Sequence, residues 1–357
     1  MQIDIKQPVE QTFVFIALLL LSLVLTFRKK HGSFFDISQT NELKGFAMLA
    51  IIFSHTGYFL VSDHRFLYPL SILAGTGVNI FLFLSGFGLT FSALKSSITT
   101  IAFYKKRLDK LLVPFWITLA ILFLMDAFLL SRSYNLTYIT HSFLGFFPSA
   151  DLFLDIDSPL WYFTVILFYY LVFPLLFIKR FPYFGALLIF ILSILILKVD
   201  LPINKDVVKL YKLHTMAFPL GMVISYIFYK YSFIENLSKV KLKWILIPIL
   251  ALVSIYTSIN SDVGQNPLLE QSISILSLTC IALITLLKGF KLKFLEIFGL
   301  FSYEIYLIHW PILSRYDIFY RFIPASLATC LYLLLFLGVA FILTKGINLA
   351  TKKIIQA

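Results

Sequence analysis

Charge is scarce in this chain and cysteine nearly absent. Only 13% of the 357 residues are charged and 60% are apolar, against about 25% and 45–50% in an ordinary soluble domain. That balance excludes a globular enzyme with a polar surface. The two cysteines, Cys280 and Cys330, lie inside long apolar runs, where they read as small core side chains and carry no disulfide framework. No Gly/Ser tract, Pro-rich segment or long charge block interrupts the sequence, so neither a linker nor a separate soluble domain is expected. No clustered ligand spacing for a metal occurs, and none is expected. Nor is there a visible internal repeat of the kind that marks the inverted halves of many transporters.

What the chain has instead is apolar length. Runs of roughly 17–25 residues, each able to cross about 30 Å of hydrocarbon as a helix, recur from end to end. They fall near 12–27, 45–61, 71–93, 111–130, 159–178, 183–197, 213–229, 244–259, 271–287, 297–313 and 325–344. These eleven segments predict an all-α, polytopic transmembrane bundle. The first, TFVFIALLLLSLVLTF, is followed by RKKH and by no small-residue cleavage site, so it reads as a retained helix rather than a signal peptide.

With the N-terminus outside, the inner segments 28–44, 95–110, 179–180, 230–243, 288–293 and 345–353 hold 21 of the 30 Lys and Arg, the bias that fixes membrane orientation. The formal charge of +12 is then mainly topology, with the C-terminus cytoplasmic and no nucleic-acid partner required. One outer segment dissents. KVDLPINKDVVKLYK carries Lys198, Lys205, Lys209 and Lys212; it reads as a solvated loop, against the alternatives of a re-entrant segment or a face for an anionic acceptor.

Ionisable groups inside the spans are the candidates for chemistry, because at membrane depth they face a cavity or a partner rather than lipid. In ELKGFAMLAIIFSH, His55 follows Lys44 by eleven residues, roughly 16 Å along a helix. A neutral imidazole there either bonds a neighbouring helix or serves as a general base. GTGVNIFLFLSGFGLTFS brings Gly75, Gly77, Gly86 and Gly88 together with Ser85, a pattern that suits close helix packing or passage of a slender ligand along backbone. In FYKKRLDKLLVPFW, Lys105, Lys106, Arg107 and Lys110 are either orientation signals and headgroup contacts or a patch that holds phosphates. Glu304 and His309 share IFGLFSYEIYLIHWPIL, and a buried carboxylate there asks for a tertiary partner. Trp161 and Trp310 stand at span ends, where aromatic belts are the ordinary account.

Taken in order, ELKGFAMLAIIFSH, NIFLFLSGF, KKRLDKLLVPFW, SPLWYF and FSYEIYLIHWP resemble the integral-membrane acyltransferase-3 family. Each motif is weak alone, being mostly apolar; five in the right order and spacing are specific. The resemblance implies a ten-helix acyltransferase domain over 41–345, an extra N-terminal helix and inner loop in 1–40, and a cytoplasmic tail in 346–357. It also implies transfer of an acyl group, commonly acetyl from acetyl-coenzyme A, to a hydroxyl of a cell-surface glycan or lipid-linked saccharide, in a bacterial cytoplasmic membrane.

Residue by residue, the resemblance implies a catalytic His55 with Lys44 as its basic companion. It places donor binding on Lys44, Ser85, Gly86, Phe87, Arg107 and Lys110, with Lys105 and Lys106 beside them, and carries Glu304 and His309 over in the late motif. Three departures stand out: lysine at 44 and 110 where arginine is common, Asn79 where many relatives carry aspartate, and the additional span 12–27. Lysine keeps the charge but loses bidentate phosphate geometry.

The expected mechanism has acyl-coenzyme A docking its phosphates on Lys105, Lys106, Arg107 and Lys110 while His55 deprotonates the acceptor hydroxyl. Glu304 or another polar partner orients the ring, with His309, Trp161 and Asn79 in support. No bound cofactor is expected, and membrane lipids are the remaining partner; self-association leaves no signature. The competing readings are a transporter or flippase of lipid-linked sugars, and a protein that only passes acyl groups across the membrane.

Overall fold

Apolar runs fold as helices at nearly every expected place. The computed structural model describes residues 3–29, 36–96, 99–231, 241–260 and 266–356. The inner connections 28–44, 94–110 and 230–243 and the tail 346–357 lie partly outside the described residues. The order is α1 (Pro8–Leu25), β1 (Phe27–Lys29), α2 (Ile37–Ser54), α3 (Ala74–Lys95), α4 (Thr100–Leu130), α5 (Leu136–Phe143), α6 (Trp161–Leu176), α7 (Pro182–Ile196) and α8 (Lys205–Lys212). Then come α9 (Ala217–Lys230), α10 (Lys243–Ile259), α11 (Pro267–Leu287), β2 (Phe290–Leu292), α12 (Lys293–Leu300), α13 (Ser302–Arg315) and α14 (Ala325–Gln356). The architecture is an all-α polytopic bundle.

Among the described residues eight helices are long and apolar enough to cross a membrane, and α7 and α10 are shorter apolar helices. The run expected at 297–313 is instead divided at Phe301 between α12 and α13. The basic outer segment is not an open loop throughout. Its second half forms α8, which turns Val207 and Tyr211 into the bundle and leaves its Lys209–Asp206 pair exposed.

The centre of the bundle is α2, 72% of whose apolar window is buried, more than in any other candidate span. Its start is fixed by a capping box, in which Asp36 accepts from the Gln39 backbone at 2.9 Å and Gln39 accepts from the Asp36 backbone at 3.3 Å. Lys291 reaches Asp36 at 2.7 Å, and a fully buried Glu42–Lys288 pair follows. The two short strands pair antiparallel, Phe27 opposite Leu292. Together these contacts clamp one end of α2 to the α11–α12 connection.

Two crossings explain the glycines. At the α2–α12 crossing a Cβ on Gly45 would stand 1.9 Å from the Leu295 carbonyl oxygen, and one on Gly299 only 1.7 Å from that of Asn41. At the α3–α9 crossing Gly86 faces the Phe218 carbonyl and Gly221 that of Phe83. Both are backbone-to-backbone approaches that no larger residue permits.

Candidate active site

At its C-terminal end α2 opens into a π-helical turn, His55–Leu60; such turns occur often at functional positions. The turn is packed from below, because Gly57 lies so close to the Phe66 carbonyl that a Cβ would approach it to 2.5 Å. His55 is thereby presented to α13. Its Nδ1 lies 2.8 Å from His309 Nε2, with the rings nearly parallel at 7°.

The other nitrogen of His309 settles the proton order. Nδ1 of His309 meets the backbone carbonyls of Tyr306 at 2.9 Å and Ile305 at 3.2 Å, and a carbonyl only accepts, so Nδ1 carries the hydrogen. In the neutral ring Nε2 is then an acceptor, and His55 Nδ1–H donates to it. The lone pair of His55 is left on Nε2. His309 is completely buried and His55 partly exposed, so the outer ring of the pair is the one a substrate can reach.

Trp310 seals the pair. It is 1% exposed, stands edge-on to His55 at 5.3 Å and donates from its indole to the Leu152 carbonyl at 3.0 Å. The aromatic-belt account of Trp310 therefore fails; the ring faces protein, not interface. The segment 149–160 forms the roof. Tyr306 donates to the Pro159 carbonyl at 2.9 Å, and Tyr138 accepts from the Ile156 backbone at 2.7 Å. Arg315, in a buried ion pair with Asp126, donates to the Asp155 carbonyl.

Glu304 stands apart from this assembly. Its side chain lies near Thr344 of α14, since five residues of helix turn it about 140° from His309. Of the expected partners for the His55 ring, Glu304 or another polar group, the structure brings His309 to it and not Glu304. Lys44 is partly buried on α2 with no carboxylate partner among the described residues. Asn79 and Trp161 belong to a second polar cluster. Asn79, fully buried, donates to Ser274 at 2.8 Å and accepts from His214 Nδ1 at 2.8 Å, while Trp161 stacks on His214 at 5.6 Å. His214 falls at the start of the span expected at 213–229 and is not among the residues singled out from the sequence; in the structure it lies between α8 and α9.

The cations gather elsewhere. A cleft of about 280 Å³ opens where α3 ends and α4 begins, lined by Ser92, Ser96, Thr100, Lys106, Arg107, Phe173 and Lys179 among others. Lys105 and Lys110 are exposed and not part of its lining. The α3 wall is Leu89, Ser92, Ala93 and Ser96 rather than the Ser85–Phe87 motif. Gly86 and Phe87 are buried, with Gly86 held at the α3–α9 crossing. Ser85 is different, for it meets the Tyr170 hydroxyl, itself within electrostatic reach of Arg107.

From Tyr170 a row of hydroxyls leads to the histidines. Tyr162 and Tyr303 lie within electrostatic reach of each other, of Tyr170 on one side and of Tyr306 on the other. The Tyr162 and Tyr306 rings are 5.5 Å apart, and Tyr306 and His309 6.4 Å. Tyr162, Tyr170 and Tyr303 are only partly buried. The sequence offered no signal for this row, since tyrosines in apolar runs read as packing.

An apolar helical bundle thus holds a histidine pair in one place and a separate cleft lined by Lys106, Arg107 and Lys179 in another. The chain belongs to the acyltransferase-3 family: the family model described as an acyltransferase domain matches residues 41–345. It is a membrane acyltransferase, acting between an acyl donor and an acceptor. Neither the curated proteins nor the solved structures hold a match.

Proposed function

We propose that this protein moves an acyl group, acetyl in the first instance, from cytosolic acyl-coenzyme A to a hydroxyl of an extracytoplasmic cell-surface glycan, in the cytoplasmic membrane of a bacterium. The observation that carries the reading is the proton order of the histidine pair, which leaves a lone pair on Nε2 of the partly exposed His55. A base so held takes a hydroxyl proton near neutral pH.

The donor's phosphates sit in the cleft of Lys106, Arg107 and Lys179, where charge-assisted bonds are strongest. Its thioester reaches the histidines past the tyrosine row on the end of a long flexible arm. His55 Nε2 removes the acceptor's hydroxyl proton, and the oxygen attacks the thioester carbonyl carbon. The tetrahedral intermediate collapses by breaking the carbon–sulfur bond, and the departing thiolate takes the proton back from His55. His309 accepts from His55 Nδ1–H throughout, which orients the ring and spreads the imidazolium charge.

Free coenzyme A release from acetyl-coenzyme A, measured on the purified protein in nanodiscs with and without envelope glycan, tests this. Acceptor-stimulated release by wild type, reduced at least about 100-fold in His55→Ala, is the expected outcome. If correctly folded wild type moves saccharide across the bilayer and consumes no thioester, the flippase reading replaces this one.

A further inference from the structure

The roof over the histidine pair carries three aspartates, and their environments differ. Asp151 accepts from the backbone of Phe153 at 2.9 Å and Leu154 at 2.8 Å. Asp155 accepts from the Ser149 hydroxyl at 2.7 Å and the Asp151 backbone at 2.8 Å. Both hold the loop in shape. Asp157 is completely buried, and neither of its carboxyl oxygens has a hydrogen-bond partner.

Its position makes that omission pointed. Asp157 precedes the helical turn Ser158–Leu160 that leads into α6, where an aspartate ordinarily caps the free N–H groups, yet its side chain makes no such bond. A buried polar group without a partner is costly, and each such group in a folded protein needs an explanation. Asp157 also lies within electrostatic reach of the Tyr306 hydroxyl, and Tyr306 is one helical turn before His309. Burial, and then the neighbouring Asp155 carboxylate, raise the Asp157 carboxyl well above the ordinary range. An acid held in that form both donates and accepts, as a hydroxyl does.

We infer that Asp157 is an acceptor-binding residue, whose carboxyl hydrogen-bonds a hydroxyl of a neutral, polyhydroxylated acceptor beside the one that His55 deprotonates. The inference rests on the acyltransferase reading for its acceptor. Neutrality follows from the roof, because the carboxylates of Asp151 and Asp155 repel an anionic saccharide, while Arg132 and Arg315 are occupied with loop carbonyls.

The full-length protein in nanodiscs tests it, using the neutral oligosaccharide fraction of partly hydrolysed envelope glycan as probe. Asp157→Ala is expected to raise the acceptor KM by about 10-fold or more, with donor KM and acceptor-independent coenzyme A release unchanged. Asp157→Asn, which keeps shape and hydrogen-bonding groups, recovers part of the loss. Its thermal midpoint does not fall, since no bond within the fold is removed. An unchanged acceptor KM in Asp157→Ala overturns the assignment, as does a lowered midpoint in Asp157→Asn. Wild type that releases no coenzyme A overturns the acyl-coenzyme A reading alone. Binding of the same probe, followed by tryptophan fluorescence, then decides Asp157: binding lost in Asp157→Ala but kept in wild type upholds it, and equal behaviour of the two overturns it.

Discussion

In the proposed reaction His309 is the residue that orients His55, through the 2.8 Å contact between His55 Nδ1 and His309 Nε2. His55 was legible in the sequence as an ionisable ring inside an apolar run. Its partner was not, because the pair joins positions 254 residues apart and no local pattern reports a tertiary contact. In the sequence Glu304 or another polar group stands as the expected partner of the ring, with His309 only in support. Helix geometry and Thr344 place it elsewhere. Replacing His309 by alanine removes the acceptor that fixes the His55 tautomer, so kcat is expected to fall at least about 100-fold with little change in either KM, the signature of a lost positioning residue. Glu304→Gln keeps wild-type kcat in the same assay. Steady-state kinetics of the two variants decides the matter: a large kcat loss in Glu304→Gln, with His309→Ala near wild type, would reverse the assignment.

At the scale of helices, apolar length located most of the fold. Expected spans and observed helices agree within a few residues for α3, α6, α7 and α10. The differences have physical causes. Helix α4 begins at Thr100, eleven residues before the apolar run expected from 111, because the Thr99 hydroxyl caps it and the basic turn that follows is helical although not apolar. The long run expected at 297–313 breaks at Phe301, where α12 has packed against α2 through Gly299 and α13 must leave in a new direction.

Hydropathy also cannot say which glycine matters in SGFG. A Cβ at Gly86 would stand 2.2 Å from the Phe218 carbonyl, whereas one at Gly88 meets nothing within 4 Å. Gly86→Ala is therefore expected to force α3 and α9 apart and lower the thermal midpoint of the detergent-solubilised protein. Gly88→Ala, in an exposed helix position, is expected to stabilise by about 0.5–1 kcal/mol. Equal midpoints for the two variants would place the α3–α9 contact elsewhere.

Over the whole molecule the proposed reading gives the excess positive charge two uses, orientation and donor binding, that the sequence could not separate. Cations concentrated in the inner segments satisfy the rule for orientation, and a cation used for orientation needs only to be on the correct side. A cation used for binding must also converge with others on one volume. By that criterion Lys106, Arg107 and Lys179 are set apart from Lys105 and Lys110, since the first three line a common cleft and the last two are exposed beyond it. Lys179 was counted only as a topological charge because it sits 72 residues after Arg107, in the connection between α6 and α7.

If the cleft docks a polyanionic donor, Lys179→Ala raises the acyl-coenzyme A KM about tenfold, the scale of one lost charge-assisted hydrogen bond, and leaves kcat unchanged. Lys105→Ala does neither. Salt supplies the second axis of the same experiment, because raising ionic strength from 0.1 to 1 M shortens the screening length from about 10 to 3 Å. The wild-type donor KM then climbs toward that of Lys179→Ala, and the two curves converge at high salt. Parallel curves, or an equal effect from Lys105→Ala, would mean that the donor's phosphates are held by the surface field as a whole and not by this cleft.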